Sequence, residues 1–219
     1  MKRLLELFSG THSVGKVVRD DYEITSLDIE LGDDDNISNH HIEEDIMTWN
    51  YKIYPPGHFD VIWASPVCTW WSQLRYCCIG RSLAKDGGRV LTRDNLENDI
   101  INYGIPMVEK VLEIIDYFKP NYYFIENPQT SSMKLYITYL PYYDVDYCKY
   151  SDWGYRKRTR IWTNIEGFNN LLCKKDCSNM NGNKHKGCVC YLSGCGGRGK
   201  DNLRYRIPHN LIKQLFKFV

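Results

Sequence analysis

Residues 4–15 read Leu-Leu-Glu-Leu-Phe-Ser-Gly-Thr-His-Ser-Val-Gly, an apolar run that passes directly into a polar, glycine-containing turn. The run reads as a buried first strand over residues 4–8, and the turn as its exit into a helix. Three further runs have the same shape, at residues 23–29, 60–64 and 122–125, and each also ends in a polar or glycine-containing loop. Short apolar runs alternating with turn-rich or helical segments are the pattern of βαβ units around a mostly parallel sheet. In open α/β sheets ligands bind beyond the carboxyl ends of the strands, so the residues just after these four runs are where chemistry is expected.

Between Asp94 and Pro120, Leu96, Ile100, Ile101, Val108, Val111, Leu112, Ile115 and Phe118 recur at three- and four-residue intervals. That spacing predicts a one-faced helix packed on the sheet, started or kinked at Pro106. Near the other end, residues 207–219 show helical spacing behind Pro208, which suits a first helical turn. This segment is expected to pack back on the main sheet.

At 219 residues the chain is long enough for one main domain with a small appendage. A net charge of +1 gives no global attraction to a polyanion, so any such attraction must come from local basic clusters. No stretch approaches the roughly 18 apolar residues of a membrane span, and mean hydropathy is −0.47. Glu6 and Gly10 break the first apolar run before a signal sequence forms. A soluble, intracellular, monomeric protein is expected. Nine cysteines, five of them at Cys173, Cys177, Cys188, Cys190 and Cys195, are an odd set that argues against a disulfide framework and for reduced thiols or a metal site.

Four strand ends carry candidate chemistry. The first turn, Phe8 to Gly15, suits close approach of backbone amides to a cofactor, although many tight turns look alike. After the second strand, Asp28 is placed to accept hydrogen bonds from ribose hydroxyls, with an exposed acidic loop as the alternative. Ser65-Pro66-Val67-Cys68 sets a cysteine just past the third strand. The residues behind it, 69–93, lack periodicity and carry Arg75, Arg81, Lys85, Arg89 and Arg93 against Asp86 alone. This reads as a long, mobile, basic lid or an ordinary solvated loop. Either makes an electropositive setting in which a thiolate is populated. Glu126-Asn127-Pro128 brings a carboxyl to the same cleft, where apolar surroundings favour a proton donor. Alternation along an extended segment puts Arg156, Arg158 and Arg160 on one side, a cluster that calls for phosphate or carboxylate partners.

Taken in order, Phe8-Ser9-Gly10, then Ser65-Pro66-Val67-Cys68, then Glu126-Asn127-Pro128, then Arg156-Lys157-Arg158-Thr159-Arg160 resemble the cytosine-5 DNA methyltransferase family over roughly residues 4–164. The resemblance implies a Rossmann-like, S-adenosylmethionine-dependent methyltransferase fold, an α/β sheet flanked by helices with a small Cys-rich appendage. It implies that Cys68 attacks carbon 6 of a flipped-out cytosine, that Glu126 hydrogen-bonds or protonates the ring nitrogen, and that Arg158 or Arg160 holds the base and Glu126. For the cofactor it implies Phe8, Ser9, Gly10 and Thr11 in the first turn, Asp28 and Ile29 at the ribose, Asp45 and Ile46 at the adenine, and Pro66 beside the nucleophile. Arg75, Arg81, Lys85, Arg89 and Arg156 become candidates for DNA contact.

The chain also departs from the family pattern. Val67 replaces a proline, His12 stands where a second glycine is common and would narrow the methionine pocket, and Arg156 occupies a glutamine position. The closing Gly-Asn motif is not recognisable near Ile207-Pro208. Only 59 residues follow Arg160, too few for the usual target recognition domain, as in compact viral and phage members. We therefore expect a catalytic domain over 1–164, a Cys/Gly-rich appendage over 165–200 and a C-terminal helix over 201–219. In the appendage, Cys173, Cys177, His185 and Cys188 are candidate zinc ligands, with free cysteines as the alternative. Other functional readings are an RNA cytosine-5 methyltransferase, such as one acting on tRNA, and a catalytically silent nucleic-acid-binding homologue. A nicotinamide dehydrogenase would need a full Gly-x-Gly-x-x-Gly, which is absent, and leaves Cys68 and Glu126 idle.

Overall fold

The computed structural model describes residues 1–30, 37–82, 87–188 and 205–219. Strand β1 (Lys2–Leu7) leads through the first turn into the short helix α1 (Gly15–Val18) and back to β2 (Tyr22–Asp28). After β3 (His40–Glu43) and β4 (Val61–Ala64) the chain forms α2 (Arg93–Asp99), α3 (Ile105–Phe118), β5 (Tyr122–Pro128) and α4 (Met133–Tyr136). It closes with β6 (Tyr142–Asp146), β7 (Arg158–Thr163), a two-residue hairpin of β8 (Met180–Asn181) and β9 (Lys184–His185), and α5 (His209–Leu215). Seven strands form one sheet in the order β3-β2-β1-β4-β5-β7-β6. All neighbours are parallel except β7, which runs antiparallel to both β5 and β6.

The four expected runs are the four central strands. Apolar material covers both sheet faces, which is why these strands read as nearly continuous hydrophobic runs. On one face Leu4, Ile24, Val61, Trp63 and Phe124 share an apolar cluster with Leu211, Ile212 and Leu215 of α5. On the other, Leu5, Leu7, Ile62 and Ile125 pack with Val108, Val111, Ile114 and Phe118 of α3. Both edge strands, β3 and β6, escaped the sequence reading. An edge strand has a single neighbour and less cover, and β3 accordingly has no fully buried residue.

The expected long helix is two helices. Thr92 starts α2 with a capping box, its hydroxyl accepting from the Asn95 amide at 3.2 Å. A π-helical turn over Ile100–Gly104 then precedes α3, where Pro106 sits in the first turn. The wider turn shifts the apolar phase, so Ile101 is 58% exposed while Ile114, outside the predicted stripe, is fully buried. Gly104 lies in this turn against Trp71, where an added Cβ would meet the indole at 3.0 Å. No described helix is long and apolar enough to cross a membrane.

Candidate active site

A cavity of about 520 Å³ opens beyond the carboxyl ends of β1 and β4, where the strand order reverses. All nine residues expected at the cofactor line it: Phe8, Ser9, Gly10 and Thr11, then Asp28 and Ile29, then Asp45, Ile46 and Pro66. The turn after β1 is held by its own backbone. Gly10 takes a left-handed conformation (φ 42°) and donates its amide to the Asp28 carboxylate at 2.8 Å. The second oxygen of Asp28 accepts the Glu30 amide at 3.2 Å, and burial raises the carboxyl's pKa above its ordinary value. Ser9 Oγ is buried on the cavity wall and finds no partner among the described residues. An orphaned hydroxyl beside a fixed carboxylate fits a polar ligand such as a nucleoside.

His12 does not line this cavity. Its left-handed backbone (φ 49°) turns the ring into the interior, edge-on to His41 at 5.4 Å. The ring therefore does not narrow this cavity. Near the place where the closing motif is not recognisable, Ile207 lines the cavity and its amide donates to Ser13 Oγ at 3.1 Å.

The same cavity reaches Cys68 and Glu126. Cys68 is half-buried in the loop after β4, and that loop is tied down twice. The Ser65 amide donates to the Leu7 carbonyl at 3.3 Å, and Nδ2 of the fully buried Asn127 donates to the Pro66 carbonyl at 2.9 Å. Asn127, which the sequence marks only by its place in a motif, braces the Cys68 loop across 61 residues. Glu126 is buried and accepts the Tyr147 hydroxyl at 2.9 Å and the Lys157 ammonium at 3.4 Å. A half-buried thiol, a buried carboxyl and an ammonium lining one cavity suit nucleophilic attack by the thiol on an acceptor that the carboxyl polarises.

No protein-family model matches the sequence. The chain is 42% identical over 222 residues to a probable DNA (cytosine-5)-methyltransferase of Frog virus 3 (isolate Goorha), covering 97% of this chain and 98% of that protein. The chain belongs to the DNA (cytosine-5)-methyltransferase family. Among solved structures, the Entamoeba histolytica methyltransferase EhMeth shares the fold at a TM-score of 0.53 and 13% identity, over 90% of this chain. This chain spans 61% of the length of that protein.

Against the family pattern, the arginines stand differently from expectation. Alternation does put Arg158 and Arg160 on one face, but the register pairs Arg160 with Asn127 and Glu126 with Ile161. Directly paired residues share a face in an antiparallel ladder, so the arginines face away from Glu126. Each makes a bidentate pair with β6: Arg158 with Asp146 at 2.8 and 3.0 Å, Arg160 with Asp144 at 2.7 and 2.9 Å. Arg160 also lies over the Tyr142 ring at 3.5 Å. Neither lines the cavity. The cation on Glu126's face is Lys157, which the same alternation would have singled out had the orientation of β7 been known.

Among its described residues, the basic segment after Cys68 carries regular structure. A 3-10 helix spans Gln73–Cys78, and Gly80 and Arg81 exchange backbone hydrogen bonds with Leu91. Arg75 is buried, donating to Asp99 at 2.8 Å and lying over the Trp70 ring at 5.3 Å, so it braces this segment and offers no phosphate contact. Arg89 converges on the same Asp99. Arg81 is exposed, Arg156 is partly exposed with Asp146 at 3.9 Å, and Lys85 lies outside the described residues. In the Cys-rich segment, Cys173, Cys177 and His185 come together as expected. The fourth member is Cys148, while Cys188 is exposed and outside the cluster; Cys190 and Cys195 lie outside the described residues.

Proposed function

We propose that this protein methylates carbon 5 of cytosine in DNA, using S-adenosylmethionine, with Cys68 as nucleophile and Glu126 as the group that holds the ring nitrogen. The observation that carries this reading is the single cavity running from the Gly10–Asp28 pair to Cys68 and Glu126. Asp28 would accept the ribose hydroxyls, Asp45 and Ile46 would flank the adenine, and Ser9 Oγ is a free polar partner for the ligand. S-adenosylmethionine, when bound there, supplies an electrophilic methyl group.

Cytosine is a poor electrophile, and its reacting carbons are inaccessible within a stacked duplex, so the base must leave the helix to enter the cavity. Cys68 Sγ then bonds to carbon 6, which loads electron density onto carbon 5. Glu126 stabilises that density by sharing a proton with the ring nitrogen, and Lys157 and Tyr147 hold its carboxyl in place. Carbon 5 would take the methyl group, leaving S-adenosylhomocysteine; the proton on carbon 5 would then pass to water as the Sγ–C6 bond breaks, so that aromaticity returns and Cys68 leaves as the thiolate in which it attacked. Arg81 and Arg156 remain candidates for the DNA backbone, since each keeps exposed surface.

Labelled S-adenosylmethionine should transfer its methyl group to duplex DNA, and Cys68→Ala should reduce incorporation to background. DNA carrying 5-fluorocytosine should form a covalent complex with the unaltered protein and none with that variant. Labelling of tRNA without labelling of DNA would overturn the substrate, and absence of a Cys68-dependent complex would overturn the mechanism.

A further inference from the structure

Away from the cavity, Cys148, Cys173, Cys177 and His185 place one potential ligand atom each within 4.8 Å of all the others. Cys148 and Cys173 are buried, and Cys177 and His185 are partly so. His185 Nε2 lies 3.6 Å from Cys173 Sγ and 3.4 Å from Cys177 Sγ. A tetrahedron with Zn–S of ~2.3 Å and Zn–N of ~2.0–2.1 Å has sulfur–nitrogen edges of about 3.5 Å, so both separations match. Three thiols and one imidazole are a donor set typical of closed structural zinc sites.

A second observation concerns the turn from Cys173 to Cys177. Lys175, which is not glycine, adopts a left-handed backbone (φ 67°), and its amide donates to Cys173 Sγ at 3.3 Å. A backbone amide aimed at sulfur stabilises a thiolate, the form that ligates metal. We propose that these four residues bind one structural zinc ion.

The ion would sit where the Cys-rich segment clasps the chain before β7. Asn179 donates to the carbonyls of Cys148 at 2.9 Å and Ser151 at 2.7 Å, and accepts the Gly154 amide at 2.8 Å. Cys148 directly follows Tyr147, whose hydroxyl reaches Glu126. Closing the four ligands on one ion therefore fixes the segment that carries both Tyr147 and Lys157. That consequence rests on the proposed role of Glu126, whereas metal binding does not.

The test uses the full chain, purified under reducing conditions without chelator. Elemental analysis should find one zinc per chain, and Co(II) in its place should give visible bands of a tetrahedral site with thiolate-to-metal charge transfer. Cys148→Ser and His185→Ala should bring the stoichiometry well below half, while Cys188→Ser leaves it at one. Folding failure of a variant is bypassed by thiol alkylation of the unaltered protein. Cys148, Cys173 and Cys177 should be protected until a chelator is added, with the exposed Cys77 reactive throughout. The proposal is overturned by an absence of stoichiometric metal after zinc reconstitution, by full retention in Cys148→Ser, or by an alkylation pattern that chelation leaves unchanged. Loss of activity with zinc still bound would count against the role of Glu126 and not against the site.

Discussion

Glu6 and Glu126 are both buried carboxyls on strands of the same sheet, both line the same cavity, and they are held in opposite ways. Glu6 accepts two backbone amides, from Val14 at 3.1 Å and Gly15 at 3.0 Å, only eight and nine residues along the chain. Glu126 accepts two side chains, Tyr147 and Lys157, from 21 and 31 residues away. Backbone donors survive side-chain replacement, and they anchor the first turn wherever the strand–turn–helix forms. Side-chain donors depend on the antiparallel return of β7 and the loop before it. The end of the cavity proposed for the cofactor is thus locally specified, and the end proposed for the base is specified by topology. Replacing Tyr147 or Lys157 therefore removes a donor outright, whereas the first-end amides stay whatever the side chain; Gly15 is fixed by space instead, since a Cβ there would lie 2.8 Å from Ile37 and 3.1 Å from the Glu6 carboxylate.

The largest effect that would test this contrast is at Glu126 itself. Glu126→Gln keeps the shape but gives up the ionisable group, so kcat should fall by about 10²- to 10⁴-fold, the usual contribution of a positioned acid or base. Calorimetric binding of S-adenosylmethionine should change little. A variant that instead loses cofactor affinity and retains kcat would reverse the assignment of the two ends.

Next in size is a pair of neighbouring cations on opposite faces of the sheet. Lys157→Met removes the ammonium beside Glu126 and should lower kcat about tenfold, equivalent to ~1.4 kcal/mol. Arg158→Ala leaves the fully buried Asp146 without its bidentate partner and should instead cost stability, about 2 kcal/mol. In a chain of this size that lowers Tm by about 4–8 °C. Single-turnover kinetics and thermal melts on both variants separate the two outcomes. If Arg158→Ala abolished turnover with an unchanged melt, the opposite-face placement would fail.

These residues also mark where the sequence was legible. The four central strands, the first turn, Cys68 and Glu126 could be read because each is signalled by residues adjacent in the chain: an apolar run followed by a polar turn. Period-two alternation correctly grouped the arginines, yet it cannot say which face of β7 meets the cavity. That is decided by β7 pairing with β5 in one register, a contact between residues 33 positions apart at Asn127 and Arg160. Arg75 was misread for a related reason, since charge counted along a loop does not reveal that Asp99 closes on it 24 residues later. Closeness in sequence does not mark Cys148 as a member of the thiol cluster, because it lies 25 residues before Cys173 on a different part of the chain.

At the backbone-held carboxyl the expected effect is a change of stability with pH. Burial pushes the pKa of Glu6 up to about 7 from an ordinary 4.5, with the Val14 and Gly15 amides and the charge of Lys16 acting in the other direction and Asp28 adding to the rise. Between those two values the folded chain binds more protons at this group than the unfolded chain does. The contribution of Glu6 is therefore fully present below pH 4.5, and it is lost as pH rises through about 7. Near pH 7 the expected slope is about half the full linkage value of ~1.4 kcal/mol per pH unit. Glu6→Gln keeps an acceptor for one amide and removes the titration, so raising the pH from 4.5 through about 7 should cost the unaltered protein stability that the variant keeps. Urea unfolding at closely spaced pH values across that window measures it. Parallel profiles for the two proteins would mean that Glu6 does not titrate there, and that its two amide bonds, not desolvation, govern the group.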